Sequence, residues 1–325
     1  MITLILIFLF VTVGCNESKS NEETIYGCMR SGAINYNSNA TIDDGSCEVL
    51  GCTDSTAINF NPDATIEDFN CLSSEDSYQN YSLAWNDEFN GATLDTLKWN
   101  IELMSKGTVN NELQTYVNSH DNIYLENGDL VIKAIKDNPF NASSPGYTSG
   151  RLNTSGKVSF GYGKLEIRAK IPSGVGTWPA IWMLGDLYST LGWPQCGEID
   201  IMEHVGYDPG HFHSNLHSQL YNFTLNNNPN GSIYSSLDSY NIFTLDWLEN
   251  NIRVKVNGII AFEYSKTEEM NFYHYPFNNQ FYMILNLAIG GDWGAADKSV
   301  YSSGIDNSIF PVEMYIDYIR YYQPK

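Results

Sequence analysis

The sequence predicts an all-β fold, a β-sandwich of the jelly-roll type with a curved sheet that forms an open cleft, preceded by small disulfide-stapled repeats. From Tyr81 to Tyr322 the chain consists of short runs rich in Val, Ile, Tyr, Phe and Leu, separated by Gly, Asn and Asp. No long helical periodicity interrupts these runs, which include 130–135, 163–171, 252–256, 281–287 and 314–322. Short strands between turn residues are typical of sandwiches and jelly rolls.

Composition limits the domain count and the partners. A chain of 325 residues with 42% hydrophobic and 14% aromatic residues has room for one large domain, which we place at 81–325, and a small appendage. The formal net charge of -21 opposes association with polyanions, so we expect no nucleic-acid partner and no heavily sulfated polysaccharide. A neutral glycan carries no such penalty. We expect a monomer.

The N-terminus indicates export. Residues 1–15 form an apolar run that ends at Cys15, and at about 12 apolar residues it is too short to span a bilayer. Residues 12–15 resemble a bacterial lipobox, although Thr12 stands where Leu is usual and no Lys or Arg precedes the run. We expect Cys15 to carry a lipid that makes the protein an outer-membrane or cell-surface lipoprotein of a bacterium, tethered by 16–26. The alternative is an ordinary cleaved signal and a periplasmic or secreted protein.

Residues 27–72 contain two 24-residue cysteine-bounded repeats, followed by a linker at 73–80. The matching segments are 27–28 and 51–52, 33–37 and 57–61, and 40–44 and 64–68. Four cysteines at matched spacing in an exported chain predict two disulfides, and the simplest of three connectivities is Cys28–Cys47 with Cys52–Cys71. The acid pairs at 43–44 and 67–68 are candidate calcium ligands or, alternatively, solvated turn residues.

The stretch 197–206, Gly-Glu-Ile-Asp-Ile-Met-Glu-His-Val-Gly, carries the densest chemical signal. Strand alternation places Glu198 and Asp200 on one face. A perfect strand would turn Glu203 away, but one extra residue accommodated as a β-bulge would return it to the acidic face. The alternative is an ordinary strand with a solvated, charged face.

Three carboxylates in one row suit glycoside hydrolysis. One carboxylate attacks the anomeric carbon, and a second carboxyl group protonates the leaving oxygen. Like charges in a cleft cannot all ionise freely, so the acids push one another's pKa values apart and one can stay protonated near neutral pH.

The motif Glu-Ile-Asp-Ile-Met-Glu resembles the active-site signature of glycoside hydrolase family 16. With the inserted Met202 it is similar to the laminarinase-like members, which are endo-β-1,3-glucanases. The resemblance implies a retaining enzyme on neutral β-glucan that needs no cofactor for catalysis, with Glu198 as nucleophile, Glu203 as general acid/base and Asp200 as the assisting carboxylate. Alternatives are mixed-linkage β-1,3-1,4-glucan, a galactan such as agarose, or a non-catalytic glycan-binding protein.

The ends of the large domain also resemble those of family 16. They are Trp85 to Gly91 and Tyr315 to Tyr322. In the family these ends can meet at a structural calcium ion. The matching positions here are Glu88, Asp317 and the carbonyl of Gly128. A salt-bridged surface without a metal is the alternative.

Several further residues are candidates for sugar contact. Trp178 and Trp182 lie just before the acids, and an indole face stacks well on the C–H face of glucose. Trp193 and Trp293 are weaker candidates for the cleft rim. Tryptophan alone usually indicates a hydrophobic core.

Polar candidates follow from the same resemblance. Asn111, in the amide-rich block at 110–116, is expected to line the cleft, with a simple turn as the alternative. Arg151 matches a family position that reaches a sugar, and His217 one that approaches the acids. Alternatives are a surface arginine and a satisfied strand histidine.

Three remaining features suggest no catalytic role. His211, His213 and His217 could suggest a metal, but His213 and His217 would share a face in a helix, and this segment is extended. We therefore predict no metal-dependent catalysis. His204 should point away from the acids, and Cys196 should be a buried structural thiol.

Overall fold

The structure is a computed structural model that describes residues 24–57, 60–67, 80–136, 146–295 and 304–325. The predicted signal segment with Cys15, most of the tether, nearly all of the linker, and Cys71 lie outside the described residues. Within the described ranges, no helix combines the length and the apolar character needed to cross a membrane.

The N-terminal repeats share one local fold. In the first, β1 (Tyr26–Gly27) pairs in parallel with β2 (Ile42–Asp43), and in the second, β3 (Leu50–Gly51) pairs in parallel with β4 (Ile66–Glu67). The predicted disulfide Cys28–Cys47 is present. Cys28 packs with Ala33 and Val49 in a small hydrophobic core. A core of this size needs a disulfide to be stable.

The large domain is built almost entirely of strands. In chain order they are β5 (Tyr81–Asp87), β6 (Asn100–Ile101), β7 (Gln114–Tyr116), β8 (Ile123–Glu126), β9 (Asp129–Lys136), β10 (Tyr147–Ser149), β11 (Arg151–Asn153), β12 (Gly163–Lys170), β13 (Thr177–Gly185), β14 (Glu198–His204), β15 (His211–His217), β16 (Asn230–Tyr234), β17 (Asn241–Leu248), β18 (Asn251–Val256), β19 (Ile259–Ser265), β20 (Phe281–Ile289) and β21 (Val312–Pro324). The described helices are single turns: α1 (Tyr188–Leu191), α2 (Gly291–Gly294) and 3-10 turns at Phe223–Leu225 and Asn307–Ile309.

These strands form two sheets. The back sheet runs β19-β18-β17-β12-β21-β9-β10-β7, with β5 paired to β21 and β8 paired to β9. The front sheet runs β16-β15-β14-β13-β20-β11-β6. Every pairing in the front sheet is antiparallel, and β10–β7 in the back sheet is the one parallel pair among the described strands of the large domain.

One hydrophobic core lies between the sheets and confirms the predicted sandwich. On β12 the side chains of Leu165, Ile167 and Ala169 are buried at every second position, as alternation requires. From the front sheet, β14 contributes Ile199 and Ile201 to the same core. The outer face of the front sheet is therefore left to the acids and to the cleft.

Candidate active site

The acidic row lies on β14, between β13 and β15 of the front sheet. The pairing register on both sides of β14 shifts by one residue between Asp200 and Glu203, which is the predicted β-bulge. Ile201 and Met202 are both fully buried in the core. Because these two consecutive side chains share the inner face, Glu203 returns to the outer face that carries the other two acids.

Two hydrogen-bond donors hold Glu203. The indole nitrogen of Trp178 donates to Oε1 at 3.0 Å, and the amide of Asn215 donates to Oε2 at 2.8 Å. The Asn215 amide is itself oriented, because its Oδ1 accepts a hydrogen bond from Asn228 at 3.0 Å. The Glu203 carboxyl group is therefore fixed on both oxygens before any ligand enters.

Glu198 and Asp200 share a second set of partners. His217 Nε2 lies 3.2 Å from Asp200 Oδ2 and 3.7 Å from Glu198 Oε1. The nearby Trp193 side chain, which lines the same cavity, favours the ionised form of Glu198 and so lowers its pKa. Asp200 is only 3% exposed, so it acts through its neighbours rather than through solvent.

Burial raises the pKa of all three carboxyl groups, because the charged form loses its hydration. The pKa of Glu198 is raised further by the charge of Asp200, and that of Asp200 by the charge of Glu203. For Glu203, the donors Trp178 and Asn215 work against burial and favour the ionised form. The row can therefore hold a proton near neutral pH.

The acids lie at the floor of two adjoining cavities, each of about 390 Å³. Both cavities are lined by the three acids together with Asn110, Trp178 and Phe223. The first also includes Glu102, Met104, Arg151, Trp182, Tyr188, Trp193, Tyr282 and Asn286. The second also includes Asn215, His217, Asn228, Asn230, Asp292 and Trp293. An extended, aromatic-walled cleft with acids at its centre suits a polymer that passes through it.

The predicted arginine is part of the first cavity. Arg151 is buried and forms an ion pair with Glu102. Its guanidinium group lies 5.0 Å from the ring centre of Trp182, whose indole nitrogen donates to Asn286 at 2.7 Å. These contacts fix the orientation of the Trp182 indole in the cavity wall.

The comparisons with known proteins agree with this geometry. The family model for glycosyl hydrolases family 16 matches residues 109–318. The chain belongs to this family. A β-glucanase of Rhodothermus marinus is 37% identical over 258 residues, which make up 76% of this chain and 87% of that protein. Glucan endo-1,3-β-glucosidase A1 of Niallia circulans is 36% identical over 266 residues, which cover 74% of this chain and 38% of that protein.

Solved structures of family 16 match about three quarters of the chain. One is a variant of SCLam, a non-specific endo-β-1,3(4)-glucanase, co-crystallised with 1,3-β-D-cellotriosyl-glucose and presenting 1,3-β-D-cellobiosyl-glucose at its active site. It shares 36% identity with this chain at a TM-score of 0.69, and the match covers 75% of this chain and 95% of that one. The chain is therefore a glycoside hydrolase of the laminarinase-like group within family 16.

The prediction that Asn111 lines the cleft of this family 16 domain needs correction, because the side chain that lines it is that of the preceding Asn110. Asn110 lines both cavities, whereas Asn111 lines neither and donates to Asp292 at 2.8 Å. Both asparagines have a left-handed backbone, with φ of 47° and 52°. Strand alternation does not apply to such a turn, so the direction of each side chain could not be counted from the sequence.

The structure places Trp193 and Trp293 in the cavity walls, one in each cavity. Trp293 lines the second cavity and packs edge-on against Trp178, with ring centres 5.5 Å apart.

The sequence analysis did not identify Phe223, which is 56% exposed, lines both cavities and lies 5.2 Å from the ring of Trp193. No periodic signal marks a loop residue of this kind. Asn215, also missed, was within reach, because it lies two residues before His217 on one strand face.

His204 and Cys196 lie where the sequence placed them. His204 is fully buried, accepts a hydrogen bond from the Gly210 N–H at 3.1 Å, and has its pKa lowered by burial to about 4. Cys196 is a free, buried thiol. The argument that separated His213 from His217 was wrong, because residues an even number apart share one face of a strand as well. Both project from the outer face of β15.

The predicted calcium position contains ion pairs instead. Glu88 accepts two hydrogen bonds from Arg320, both at 2.8 Å, and Asp317 pairs with Arg168. Gly128 lies in the turn between β8 and β9 with φ of 90°. Since an arginine neutralises each carboxylate, this arrangement favours the salt-bridged alternative.

Proposed function

We propose that this family 16 domain is a retaining endo-β-1,3-glucanase that cleaves internal linkages of laminarin-like glucans. The observation that carries the proposal is the bulged row on β14, which aligns Glu198, Asp200 and Glu203 along the floor of an open, aromatic-lined cleft. The relatives named above supply the substrate class. Attack within a chain is proposed from the endo-acting relative named above.

In the first step, the Glu198 carboxylate attacks the anomeric carbon while Glu203 gives its proton to the leaving oxygen. Burial favours the protonated form of Glu203 that this step needs. In the second step, Glu203 removes a proton from the water that releases the sugar from Glu198. The Trp178 and Asn215 donors favour the carboxylate form that acts as this base.

Asp200 and His217 position the nucleophile. The Asp200 and Glu198 carboxyl groups offer oxygens within 4.8 Å of each other, and His217 Nε2 lies near both. When Glu198 becomes an ester in the glycosyl-enzyme, its charge disappears, while Glu203 becomes charged because it has given its proton to the leaving oxygen. The total charge of the row therefore stays constant, and Asp200 needs no change of protonation.

The substrate test uses purified protein with laminarin, lichenan and agarose, with released oligosaccharides separated by chromatography. Laminari-oligosaccharides of mixed length support endo-β-1,3 cleavage. Single-residue release, or products from agarose alone, would contradict it. Binding of a glucan without cleavage would favour the non-catalytic alternative.

The residue roles are tested by azide rescue. With an activated aryl glycoside, Glu198→Ser plus azide should form the α-glycosyl azide, because azide attacks from the side the carboxylate has vacated. Glu203→Ala plus azide should form the β-glycosyl azide from the glycosyl-enzyme. The opposite assignment of products would exchange the two roles, and an inverted first product from native enzyme would exclude retention.

A second candidate substrate is mixed-linkage β-1,3-1,4-glucan. It is favoured by the similarity to a structure described as a non-specific endo-β-1,3(4)-glucanase. Comparable kcat/KM values on lichenan and laminarin would support this broader specificity, whereas a strong preference for laminarin would oppose it.

We also propose that the protein is exported and lipid-anchored through Cys15, and that it is a monomer. Labelling of expressing bacterial cells with a radioactive fatty acid should mark the native chain but not Cys15→Ser. Equal labelling of both would remove the anchor from the proposal. Light scattering on the soluble protein should give the mass of one chain.

A further inference from the structure

Strand β15 and the turn before it bring three potential metal ligands together beside the cleft. Asp208, His211 and His213 each offer a ligand atom within 4.8 Å of the other two. His211 and His213 are two residues apart on one strand, so their imidazoles project from the same face, with ring centres 4.2 Å apart. None of the three lines the two cavities that hold the acids.

Two of the three side chains are already fixed. His211 Nδ1 lies 2.8 Å from Asp208 Oδ2, and its Nε2 lies 2.9 Å from Ser232 Oγ. The imidazole also stacks on Tyr234, with ring centres 4.1 Å apart. The pair of carboxylate and imidazole therefore loses little side-chain freedom when it binds an ion.

His213 is the part of the cluster that its surroundings do not explain. Within the ranges that the structure covers, neither ring nitrogen of His213 has a hydrogen-bond partner, although the side chain is half-buried. Its contacts are ring contacts with His211 and, at 5.1 Å, with Trp293. An imidazole with no hydrogen-bond partner, packed against an already oriented carboxylate-imidazole pair, is the arrangement expected of a metal ligand.

We propose that Asp208, His211 and His213 form a binding site for a divalent transition-metal ion of the class that prefers imidazole, such as Zn²⁺ or Cu²⁺. Two imidazoles and one carboxylate are a common ligand set for such ions, with water completing the coordination. Ca²⁺ and Mg²⁺ prefer all-oxygen sites and are disfavoured here. The ion takes the place of the proton on His211 Nδ1, and this proton moves to Nε2, which then donates to Ser232 Oγ, so the imidazole stays neutral.

The site is separate from the reaction, but it adjoins the cleft wall. His213 packs edge-on against Trp293, whose indole lines the second cavity. An ion bound by His213 would immobilise the His213 imidazole. This imidazole alone would then separate the ion from Trp293 at the rim of the cleft. The fluorescence of Trp293 should therefore report occupancy without any substrate.

The test is calorimetric titration of the full chain, without an affinity tag and after treatment with a chelator, with ZnCl₂. Native protein should bind one ion. His211→Ala and Asp208→Asn should each weaken Zn²⁺ binding at least about tenfold. His120→Ala, which removes an exposed histidine outside the cluster, should bind as the native protein does. Unchanged affinity in both cluster variants would overturn the proposal, as would the absence of Zn²⁺ binding to native protein.

A second group, Glu198, Asp200 and His217, is the competing metal site and needs its own control. Asp200→Asn should leave Zn²⁺ affinity unchanged, and loss of binding in this variant alone would move the ion to the acid row. Cu²⁺ should also quench part of the emission of the seven tryptophans. This quenching should be lost in Trp293→Phe, and quenching that persists there would contradict the proposed position even if a cluster variant failed to fold.

Discussion

Replacing Glu198 with Gln should make the folded protein more stable while it abolishes turnover. Asp200 is buried, Glu198 exposes only 16% of its side chain, and the two offer oxygens within 4.8 Å of each other. Two full charges at that separation repel by about 3.5 kcal/mol at an effective dielectric constant of about 20. Because protonation already relieves part of this repulsion, we expect a gain of about 2 kcal/mol, or about 4–8 °C in Tm for a domain of this size.

The gain should depend on pH in a defined direction. Burial raises the pKa of both acids above the value of about 4 that they have in the unfolded chain. Above that pH the folded state binds more protons than the unfolded state. The free energy of unfolding of the native protein therefore falls as pH rises from about 4, until both acids are ionised in the folded state as well. The advantage of Glu198→Gln should therefore be small at pH 4 and grow toward pH 7.5.

Differential scanning calorimetry of the native protein and Glu198→Gln at several pH values measures this effect. Glu249→Gln is the matched control, because Glu249 is exposed in the turn between β17 and β18 and its replacement removes the same formal charge. A Glu198→Gln variant that is no more stable than native, or whose gain is identical at pH 4 and 7.5, would refute the reasoning.

Four further predictions test other parts of the site. Trp178→Phe removes a hydrogen bond that lowers the pKa of Glu203, so the alkaline limb of the kcat/KM profile should move to higher pH at a lower rate; an unmoved limb would contradict the acid role. Burial raises the pKa of Cys196 to about 11, so a thiol reagent at pH 8 should label it only after unfolding, and rapid labelling of native protein would show an open thiol. Phe223→Ala should raise KM about 2- to 10-fold with kcat nearly unchanged, since an aromatic contact contributes about 0.5–1.5 kcal/mol, and an unchanged KM would place the sugar elsewhere. Chelator or added calcium should leave Tm unchanged, because arginines neutralise both carboxylates of the predicted calcium position; a higher Tm with calcium would restore that site.

The sequence could predict the centre of the site because the deciding information is local. Alternation along one strand places the acids, and a single bulge accounts for Glu203. The sandwich likewise follows from short apolar runs between turn residues. Both inferences need only the two-residue period of a strand and knowledge of which residues break it.

The cleft walls could not be predicted in the same way, because they depend on the paths of loops and on pairing between distant strands. Asn110 replaces Asn111 in the cleft because both adopt a left-handed backbone. Phe223 lines the cleft from a 3-10 turn within a loop, where no strand or helix periodicity predicts the direction of a side chain. Arg168 meets Asp317 through the register of β12 and β21, and Arg320 meets Glu88 through the register of β5 and β21. No local pattern contains either register.

The bulge on β14 has a consequence for how such a row can vary. Without Met202 the segment would read Glu-Ile-Asp-Ile-Glu, in which the three acids already keep the same parity along the strand. One inserted residue, absorbed as a β-bulge, therefore lengthens and bends the acidic row, but the acids stay on the outer face of the sheet. Met202 enters the core beside Ile201, so the added residue also contributes apolar packing. The distance between the two catalytic glutamates along the strand can thus change in evolution while the side of the sheet on which they act does not.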